Sequence, residues 1–364
     1  MKKAKIFYFT LQDEQTKEEK LDWFERTRFE QIPFDHITPD QKSNWINLTD
    51  NDFDSLLPLI DKDVKAGKSQ EAVFQLFSRG VETGRDEWVF DCSKLYLMNK
   101  AKYLVQIYQA QLSGSENFEL DIKWDRELER SLSRKTHKIF DSKRIRSSIY
   151  RPFFKQFLYF DEHFNRMPGQ NPRFFPEMES ENKIINVVDG SRLSLSVLAT
   201  DFLTNLSLFS LDPVQCLPLY RYDKNGDRID NITDWGLTQF QTHYNDRTIT
   251  KQDIFHYTYA VLHHPAYRTK YELNLKREFP RLPFYADFHQ WATWGKALMD
   301  LHLNYEAIAP YGLNRVEIAA KGNPKAKLKA DRINGAIILD ENTELTGVPA
   351  IAWDYKLGNR SALE

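Results

Sequence analysis

Cationic side chains are concentrated in one short part of the chain. Between Arg130 and Lys155 there are nine arginines and lysines but one acid, Asp141, so this stretch has a net charge of +8. The whole 364-residue chain has a formal net charge of only −2. A local basic patch on a near-neutral protein is typical of a surface that binds a phosphate backbone. A solvated basic helix face would give the same pattern, so charge alone leaves that alternative open.

A polar, turn-rich segment follows the basic stretch. Residues 162–174, EHFNRMPGQNPRF, contain two asparagines, one glutamine and two arginines. Arg, Asn and Gln can read base edges in the major groove, and Lys and Arg can neutralise phosphates. An ordinary surface loop can have the same composition, so that alternative also stays open. The candidate DNA-binding residues are Lys135, Lys138, Lys143, Arg144, Arg146, Arg151, Lys155, Asn165, Arg166, Gln170, Asn171 and Arg173.

Common catalytic motifs are missing from the sequence. There is no GxxxxGK[ST], GxSxG or HExxH and no glycine-rich strand-to-helix turn. Adenine-specific DNA methyltransferases hold the flipped base with an Asn-Pro-Pro-aromatic tetrapeptide, and this is missing too. Asn171 and Asn323 are each followed by only one proline. We therefore predict no catalytic residue and no cofactor-binding residue in this chain.

Metal, membrane and export signals are missing as well. Cys92 and Cys216 have no metal-binding spacing, and the adjacent His263 and His264 would point about 100° apart on a helix. No apolar run reaches the roughly 18 residues that a membrane helix needs. The apolar segment near the lysine-rich start has only about five residues, too few for a secretory signal. We expect a cytoplasmic protein without a metal site and without a membrane partner.

An aromatic stretch follows the first part of the basic stretch, residues 130–148, which we call the basic run, and connects it to the polar segment. IYRPFFKQFLYFD, residues 149–161, places six aromatic rings around Arg151 and Lys155. In a single extended strand, the odd-numbered residues would share one face and the even-numbered residues the other. Because both faces are mainly aromatic, we predict a largely buried strand whose rings are scaffold. The DNA contacts are then expected before and after it.

Local patterns predict an α+β chain. A strand at residues 4–11 and a charged helix at about 16–29 are too small to bury their apolar faces alone. Amphipathic spacing predicts a helix over 93–110, and residues 123–148 predict a basic helix or helix pair. Short apolar segments at 184–188, 193–198, 206–211 and 217–222, separated by turn signals, predict strands.

Further local signals lie near residues 49 and 80–86 and in the C-terminal third of the chain. Thr49 is a candidate N-cap, with acids in the turn that follows, and a loop at 80–84 is expected to present Arg85 and Asp86. Three helices are predicted at about 251–264, 265–278 and 286–303, the first with Thr250 and Asp253 as its capping pair. A basic loop or hairpin and a strand at 336–339 follow.

Several stretches resemble the C-terminal specificity region of the Type ISP restriction-modification enzymes. They include KIFYFTLQDEQTKEEKL, GVETGRDEWVFD, IYRPFFKQFLYFD, NITDWGLTQF, WDYKLGNRSALE and, most specifically, DIFHYTYAVLHHPAYRTKYELNLKREFPRLPF at 253–284. They occur from end to end of the chain. The resemblance implies a target recognition region of enzymes that combine nuclease, helicase and adenine-N6 methyltransferase parts.

The resemblance also implies a domain organisation. Residues 1–48 would be the tail of an α/β methyltransferase domain, 49–115 a helical connector, 116–249 a β-rich recognition core and 250–364 its helical C-terminal part. Double-stranded DNA and the methyltransferase and helicase/nuclease parts, in cis or as separate chains, are the expected partners. S-adenosylmethionine is expected for the parent enzyme only. The chain looks like a fragment, a split subunit or a truncated frame.

Two other functions stay open. The chain could complete an active split adenine methyltransferase by pairing with a catalytic polypeptide. It could instead be a protein-interaction scaffold that reads no DNA, with the aromatic helix at 286–303 as its contact surface.

Overall fold

The computed structural model describes residues 4–12, 15–39, 45, 49, 51–114, 122, 124–188, 194–317, 324–358 and 360–363. Helices and strands are both present along these ranges, in agreement with the predicted α+β class. The α-helices are α1 (Lys17–Arg26), α2 (Lys62–Lys65), α3 (Asp86–Val89), α4 (Lys94–Leu112), α5 (Arg126–Ser133), α6 (Asp234–Tyr244), α7 (Lys251–His263), α8 (Pro265–Lys270), α9 (Glu272–Leu275) and α10 (Phe288–Leu303).

The strands form several small sheets. They are β1 (Ile6–Tyr8), β2 (Asp35–Ile37), β3 (Leu57–Pro58), β4 (Ser78–Arg79), β5 (Phe90–Asp91), β6 (Ile145–Arg151), β7 (Phe154–Tyr159), β8 (Ile184–Val188), β9 (Val197–Thr200), β10 (Leu203–Thr204), β11 (Val214–Pro218), β12 (Tyr220–Tyr222), β13 (Arg228–Asp230), β14 (Arg281–Leu282), β15 (Asn314–Glu317), β16 (Ala326–Asp331), β17 (Ala336–Asp340), β18 (Thr343–Thr346), β19 (Lys356–Leu357) and β20 (Arg360–Ser361). Within the described ranges, three sheets have four strands each, in the orders β10-β6-β7-β5, β4-β11-β8-β9 and β15-β18-β17-β16.

The β4-β11-β8-β9 sheet separates two hydrophobic cores. Along β8, Ile184 and Val188 pack into a first core with α4, β6 and β7, whereas Ile185 and Val187 pack into a second core with α6, α7 and α10. All five residues of β8 are buried. A strand covered on both faces is expected to be apolar throughout, which is why the run at 184–188 was predictable as a strand.

The predicted basic helix over 123–148 is mostly wrong. Among residues 124–148, α5 is the one α-helix, a 3-10 turn covers Ser142–Arg144, and β6 begins at Ile145. Leu128 is the one buried residue of α5, whereas Ile145 and Ile149 enter the first core from β6. Tertiary burial of these isoleucines favours a strand over continued helix.

The aromatic stretch 149–161 is a hairpin and not the single strand that was predicted. β6 ends at Arg151 and β7 begins at Phe154, so Pro152 and Phe153 form the turn between them. Phe153 has a φ of +56°, a region that side chains rarely adopt. Its ring packs 5.1 Å from the Tyr305 ring, between centroids, and this contact favours the unusual backbone.

Burial along this stretch rises away from the turn. Tyr159 and Phe160 are buried, Phe157 is half-buried, and Phe154 beside the turn is 44% exposed. The expectation that most rings act as scaffold therefore agrees with the burial at the far end of β7 but not at the turn.

Helices α7 and α10 cross closely in the second core. The predicted capping pair is confirmed. The Thr250 side chain accepts a hydrogen bond from the Asp253 backbone amide, and the Asp253 side chain accepts one from the Thr250 backbone amide. At the crossing, a Cβ placed on Gly295 would lie 1.8 Å from the His256 carbonyl oxygen. Glycine is therefore required for this approach, and the two helices act as one packed unit.

The N-terminal elements bury little. β1 pairs with β2, and α1 has a capping box formed by Thr16 and Glu19, as its sequence favours. None of the residues of β1, α1 and β2 is buried. Phe7, Phe24 and Phe29 are 60%, 58% and 73% exposed.

Other predicted elements differ from the structure. Thr49 caps no helix, since the next element is a 3-10 turn at Phe53–Ser55. The predicted strand at 206–211 is a turn region, the helix at 265–278 is split into α8 and α9, and α6 was not predicted. Residues 49–115, predicted as a connector, supply β4 and β5 to the central sheets and α4 to the first core. The β15–β18 sheet lies in the part predicted to be helical.

Candidate DNA interface

The polar loop, residues 161–174, is anchored at its start by buried side chains. Asp161 accepts hydrogen bonds from the amides of His163, at 2.8 Å, and Phe164, at 3.2 Å. The Asn165 side chain accepts from the Asp161 amide, at 3.1 Å, and donates to the Tyr159 carbonyl, at 3.2 Å. Asp161 is 2% exposed and Asn165 is 1% exposed, so both serve the backbone of the turn.

A second anchor holds the far end of the polar loop. The side-chain amide of Asn171 donates to the backbone carbonyls of Arg79, at 2.9 Å, and Pro168, at 2.8 Å. The backbone amide of Gln170 donates to the Ser78 hydroxyl at 2.9 Å. Asn171 is fully buried, so the loop is held against β4 at this point.

Two of the predicted base-reading residues are therefore corrected. Asn165 and Asn171 lie inside the protein and hydrogen-bond to backbone groups, so their amides are not on a DNA-facing surface in this structure. The exposed cations of the loop are Arg166 and Arg173, and Gln170 is half-buried. Arg166 pairs with Glu82 at 2.9 Å.

Two arginines of the basic run are held at the base of the polar loop. Arg144 pairs with the buried Asp161 carboxylate at 3.0 Å and, more loosely, with Asp141 at 3.8 Å. Arg146 donates to the carbonyls of Pro176, at 3.1 Å, and Lys143, at 3.3 Å. These contacts give both arginines a structural role, whatever else they bind.

The two cations of the aromatic stretch lie at the other end of the hairpin. Arg151 stacks over the Tyr150 ring at 4.2 Å and donates to Asn205 at 3.2 Å. Lys155 pairs with Glu306 at 2.8 Å and lies over the rings of Phe202 and Tyr305. Arg151 and Lys155 are thus engaged within the protein.

Three lysines are less engaged. Lys135 and Lys143 are exposed, and Lys138 is half-buried beside a surface groove lined in part by His137 and Phe140. None of these lysines belongs to an ion pair between the residues that the structure describes. Among the predicted site residues, Lys135, Lys143 and Arg173 are exposed and belong to no ion pair between described residues, and Arg166 is exposed but paired with Glu82.

The predicted site is divided in two by the hairpin. Arg144 and Arg146 lie where β6 begins, next to the polar loop, whereas Arg151 and Lys155 lie at its turn. Strand residues rise by about 3.3 Å each, so the two groups are about 20 Å apart along β6. The structure brings the basic run and the polar loop together and separates both from the turn.

Sequence reasoning missed a buried arginine behind the polar loop. Arg85, expected on the surface, is 1% exposed and donates to the Phe164 carbonyl at 2.5 Å. It also pairs with the Asp125 carboxylate. Burial lowers the pKa of Arg85, and the negative charge of Asp125 opposes that effect. A TGRD sequence gives no sign of inward orientation, because that depends on contacts distant in sequence.

Histidine and other ligand groups offer no metal centre in the described ranges. No cluster of three or more His, Cys, Asp or Glu side chains there could hold a metal ion. Burial lowers the pKa of His163, next to the polar loop, to about 4, so this side chain is neutral at pH 7. None of the described helices is long and apolar enough to cross a bilayer.

Comparison with protein families gives one match to most of the chain. The model described as the Type ISP C-terminal specificity domain matches residues 72–364. A comparison with curated proteins gives no match.

Solved structures similar to this chain include three large proteins. A structure described as a cryo-EM DrdV–DNA complex is 44% identical, with a TM-score of 0.84, over 95% of this chain and 36% of that chain. A nuclease-deletion mutant of the Type ISP restriction-modification enzyme LlaGI, in complex with a DNA substrate mimic, is 26% identical, with a TM-score of 0.77, over 96% and 28%. The ATP-dependent Type ISP enzyme LlaBIII bound to DNA is 27% identical, with a TM-score of 0.78, over 90% and 22%. The chain thus spans only about a third or less of these proteins.

Proposed function

The chain belongs to the family of Type ISP C-terminal specificity domains, and from this we propose that it recognises a specific sequence in double-stranded DNA for a restriction-modification enzyme. The observation that carries the proposal is its likeness to DrdV, at 44% identity, in a structure described as a DNA complex. LlaGI and LlaBIII, also similar, are described with a DNA substrate mimic and with DNA.

The surface chemistry supports the same function. Lys135 and Lys143 extend from the basic run, and Arg166 and Arg173 extend from an anchored polar loop beside it. Exposed cations of this kind can neutralise phosphates, and a rigidly held loop can offer arginine and glutamine to base edges. We infer that Lys135, Lys143 and Arg173 contact phosphate, while Arg166 and Gln170 are the better candidates for base reading.

The test is the salt dependence of DNA binding. Duplexes enriched by the full chain from a randomised library would be titrated between about 50 and 200 mM salt. In the Lys135→Ala, Lys143→Ala, Arg173→Ala triple variant, the slope of log affinity against log salt should become shallower by about 2 to 3, because each lost phosphate contact removes roughly one released counterion.

A matched triple variant controls for the loss of positive charge. Lys62, Lys68 and Lys224 are also exposed but lie outside the basic run and the polar loop. Their replacement by alanine should leave the slope unchanged. Equal slopes for the two triple variants, or wild-type binding that does not depend on salt, would contradict the proposed interface.

We further propose that the parent enzyme methylates adenine at N6 and that residues 1–48 are the tail of its methyltransferase domain. Support comes from the exposed rings of Phe7, Phe24 and Phe29, which a larger domain could cover. The methyltransferase and helicase/nuclease parts would act in cis or as separate chains. S-adenosylmethionine would supply the methyl group there.

The segment that follows the first strand lacks the glycines that would let a cofactor approach the backbone closely. The first glycine of the chain is Gly67, so the turn between β1 and α1 has no glycine to let a ligand approach the backbone. We therefore assign no step of methyl transfer to this chain and expect none from the purified chain.

Methylation mapping tests this second proposal. Genomic DNA of the source organism should carry N6-methyladenine within the sequence that the chain enriches. If that sequence is enriched but holds no methylated adenine, the assignment to an adenine methyltransferase is wrong and the DNA-binding proposal still stands.

The scaffold alternative gains less support. In α10, the helix on which it depended, Phe288, Ala292, Gly295 and Met299 are buried against the second core, while Trp294 and Leu301 are 54% and 52% exposed. One face of the helix thus packs into the second core, and two large apolar side chains lie on its exposed side. The exposed N-terminal rings are a better candidate for a protein contact.

A further inference from the structure

Arg85 connects two segments that are distant in sequence. One guanidinium nitrogen donates to the Phe164 carbonyl in the polar loop at 2.5 Å, and the other pairs with Asp125. Arg85 is 1% exposed and the Asp125 side chain is 20% exposed. A planar guanidinium can hold two acceptors in fixed directions, which a lysine ammonium does less well.

Asp125 has a second partner. Its other carboxylate oxygen accepts from the Leu128 amide at 3.0 Å and so caps the N-terminus of α5. α5 carries Arg130, and Lys135 follows just beyond its end. Asp125 therefore links the start of the basic segment to Arg85, and Arg85 links it to the polar loop.

The two residues before Arg85, Thr83 and Gly84, pack closely against Arg166 of the polar loop. A Cβ placed on Gly84 would lie 3.3 Å from the Arg166 side chain, and the Arg166 amide donates to the Thr83 carbonyl at 3.2 Å. Arg166 thus leaves the loop one residue after the anchored Asn165 and two after Phe164. Any shift of the Phe164 carbonyl changes the position from which Arg166 extends.

Stability alone is a weak reason for such an ion pair. Removing two charges from water costs free energy, and well-packed apolar replacements of buried pairs are often neutral or stabilising. Direction is what the pair supplies, because each bond fixes one element relative to the other. A pair that joins α5, at the start of the basic segment, to the polar loop is suited to set their spacing.

We propose that Arg85 and Asp125 are positioning residues that fix the polar loop against α5 and thereby determine how sharply the chain discriminates between DNA sequences. This inference rests on the proposed DNA-binding function. Arg85 and Asp125 need not touch DNA. Their effect is on the alignment of Arg166 and Gln170 relative to the phosphate contacts of the basic segment.

The experiment compares affinities for two duplexes in the full chain. One duplex carries the sequence enriched by the wild-type protein from a randomised library, and the other is its scrambled version. Arg85→Lys and Asp125→Ser are the test variants, since lysine keeps the charge and serine keeps the cap of α5. In each variant, the ratio of the two affinities should fall by at least about tenfold, which is comparable to the loss of affinity that one mismatched base pair causes.

Affinity for the scrambled duplex separates positioning from loss of the phosphate surface. It should stay within about twofold of the wild-type value, because phosphate contacts supply essentially all non-specific binding. A double variant, Arg85→Met with Asp125→Asn, removes both charges with side chains of similar size, and asparagine can still cap α5. If it folds and retains full discrimination, the positioning role is refuted.

A second ion pair gives the structural control. Lys100 pairs with Asp91 at 2.9 Å and both are partly buried, but Lys100 lies on α4 and does not contact the polar loop. Lys100→Met should lower the melting temperature. The ratio of the two affinities should stay within about twofold of the wild-type ratio. Equal effects of Lys100→Met and Arg85→Lys on that ratio would overturn the inference. No enrichment by the wild type would instead refute the proposed function.

Discussion

Amide side chains of the polar loop show that one residue type suits two roles. Asn165 and Asn171 have the donors and acceptors that read an adenine edge, and the same atoms can satisfy buried backbone groups. A compact loop has carbonyls and amides that ladder pairing does not satisfy, so some of its polar side chains must turn inward. Burial decides between the roles, and it is a property of the folded chain.

Replacement of Asn171 should destabilise the protein. Asn171→Ala removes the donors to the Arg79 and Pro168 carbonyls, which should lower the free energy of unfolding by about 1 to 3 kcal/mol. Asn171→Asp keeps the size but sets carboxylate oxygens against the carbonyls, so its loss should be larger. Urea unfolding followed by circular dichroism measures both.

The neighbouring Gln170 is the control for Asn171. It has a similar side chain, but its hydrogen bonds to the residues that the structure describes are made by its backbone amide and its backbone carbonyl. Gln170→Ala should change the free energy of unfolding by at most about 0.5 kcal/mol. A loss for Gln170→Ala equal to that for Asn171→Ala would mean that the anchor is not the amide.

Helices and strands were predictable where their signals are local. Amphipathic spacing predicted α4, and the N-cap Thr250 marks α7 one residue before it begins, because a capping side chain acts on amides two or three residues away. The hairpin at 149–161 was not predictable in this way. Its aromatic residues suit a strand on either side of the turn, and Phe153 adopts a positive φ that aromatic residues rarely do.

The crossing of α7 and α10 gives a prediction for the second core. Gly295→Ala would place a methyl group 1.8 Å from the His256 carbonyl oxygen, so the helices must separate. We expect a loss of at least about 2 kcal/mol in the free energy of unfolding, typical of overpacking. Gly312→Ala, where nothing lies within 4 Å, should have almost no effect. Comparable melting temperatures for the two variants would show that α7 and α10 adjust without cost.

Predicted domain boundaries and packing do not coincide in the whole molecule. Residues 116–249 and 250–364 were separated in the predicted organisation, yet β8, β9 and α7 contribute to the same second core. The β4-β11-β8-β9 sheet has buried side chains on both faces. Neither residues 116–249 nor residues 250–364 cover both of these faces alone. The sequence changes character near residue 250 because the helices α7 to α9 follow one another from there, and the hydrophobic core continues across that point.

Short-range patterns by themselves determined the α+β class, the amphipathic helix α4, the capped helix α7, the strand β8 and the resemblance to Type ISP specificity regions. These features depend on residues within a few positions of one another or on whole matching stretches. The basic run was also evident, because net charge needs no structure.

Only the tertiary structure decided which polar side chains face outward. Arg85 meets Asp125 across 40 residues, and Asn171 meets Arg79 across 92. Arg144 is drawn to the buried Asp161 and Lys155 to Glu306. The free energy of such contacts depends on burial and direction, which are set by the packing of distant segments. The same physics leaves Lys135, Lys143, Arg166 and Arg173 exposed as the candidate surface for DNA.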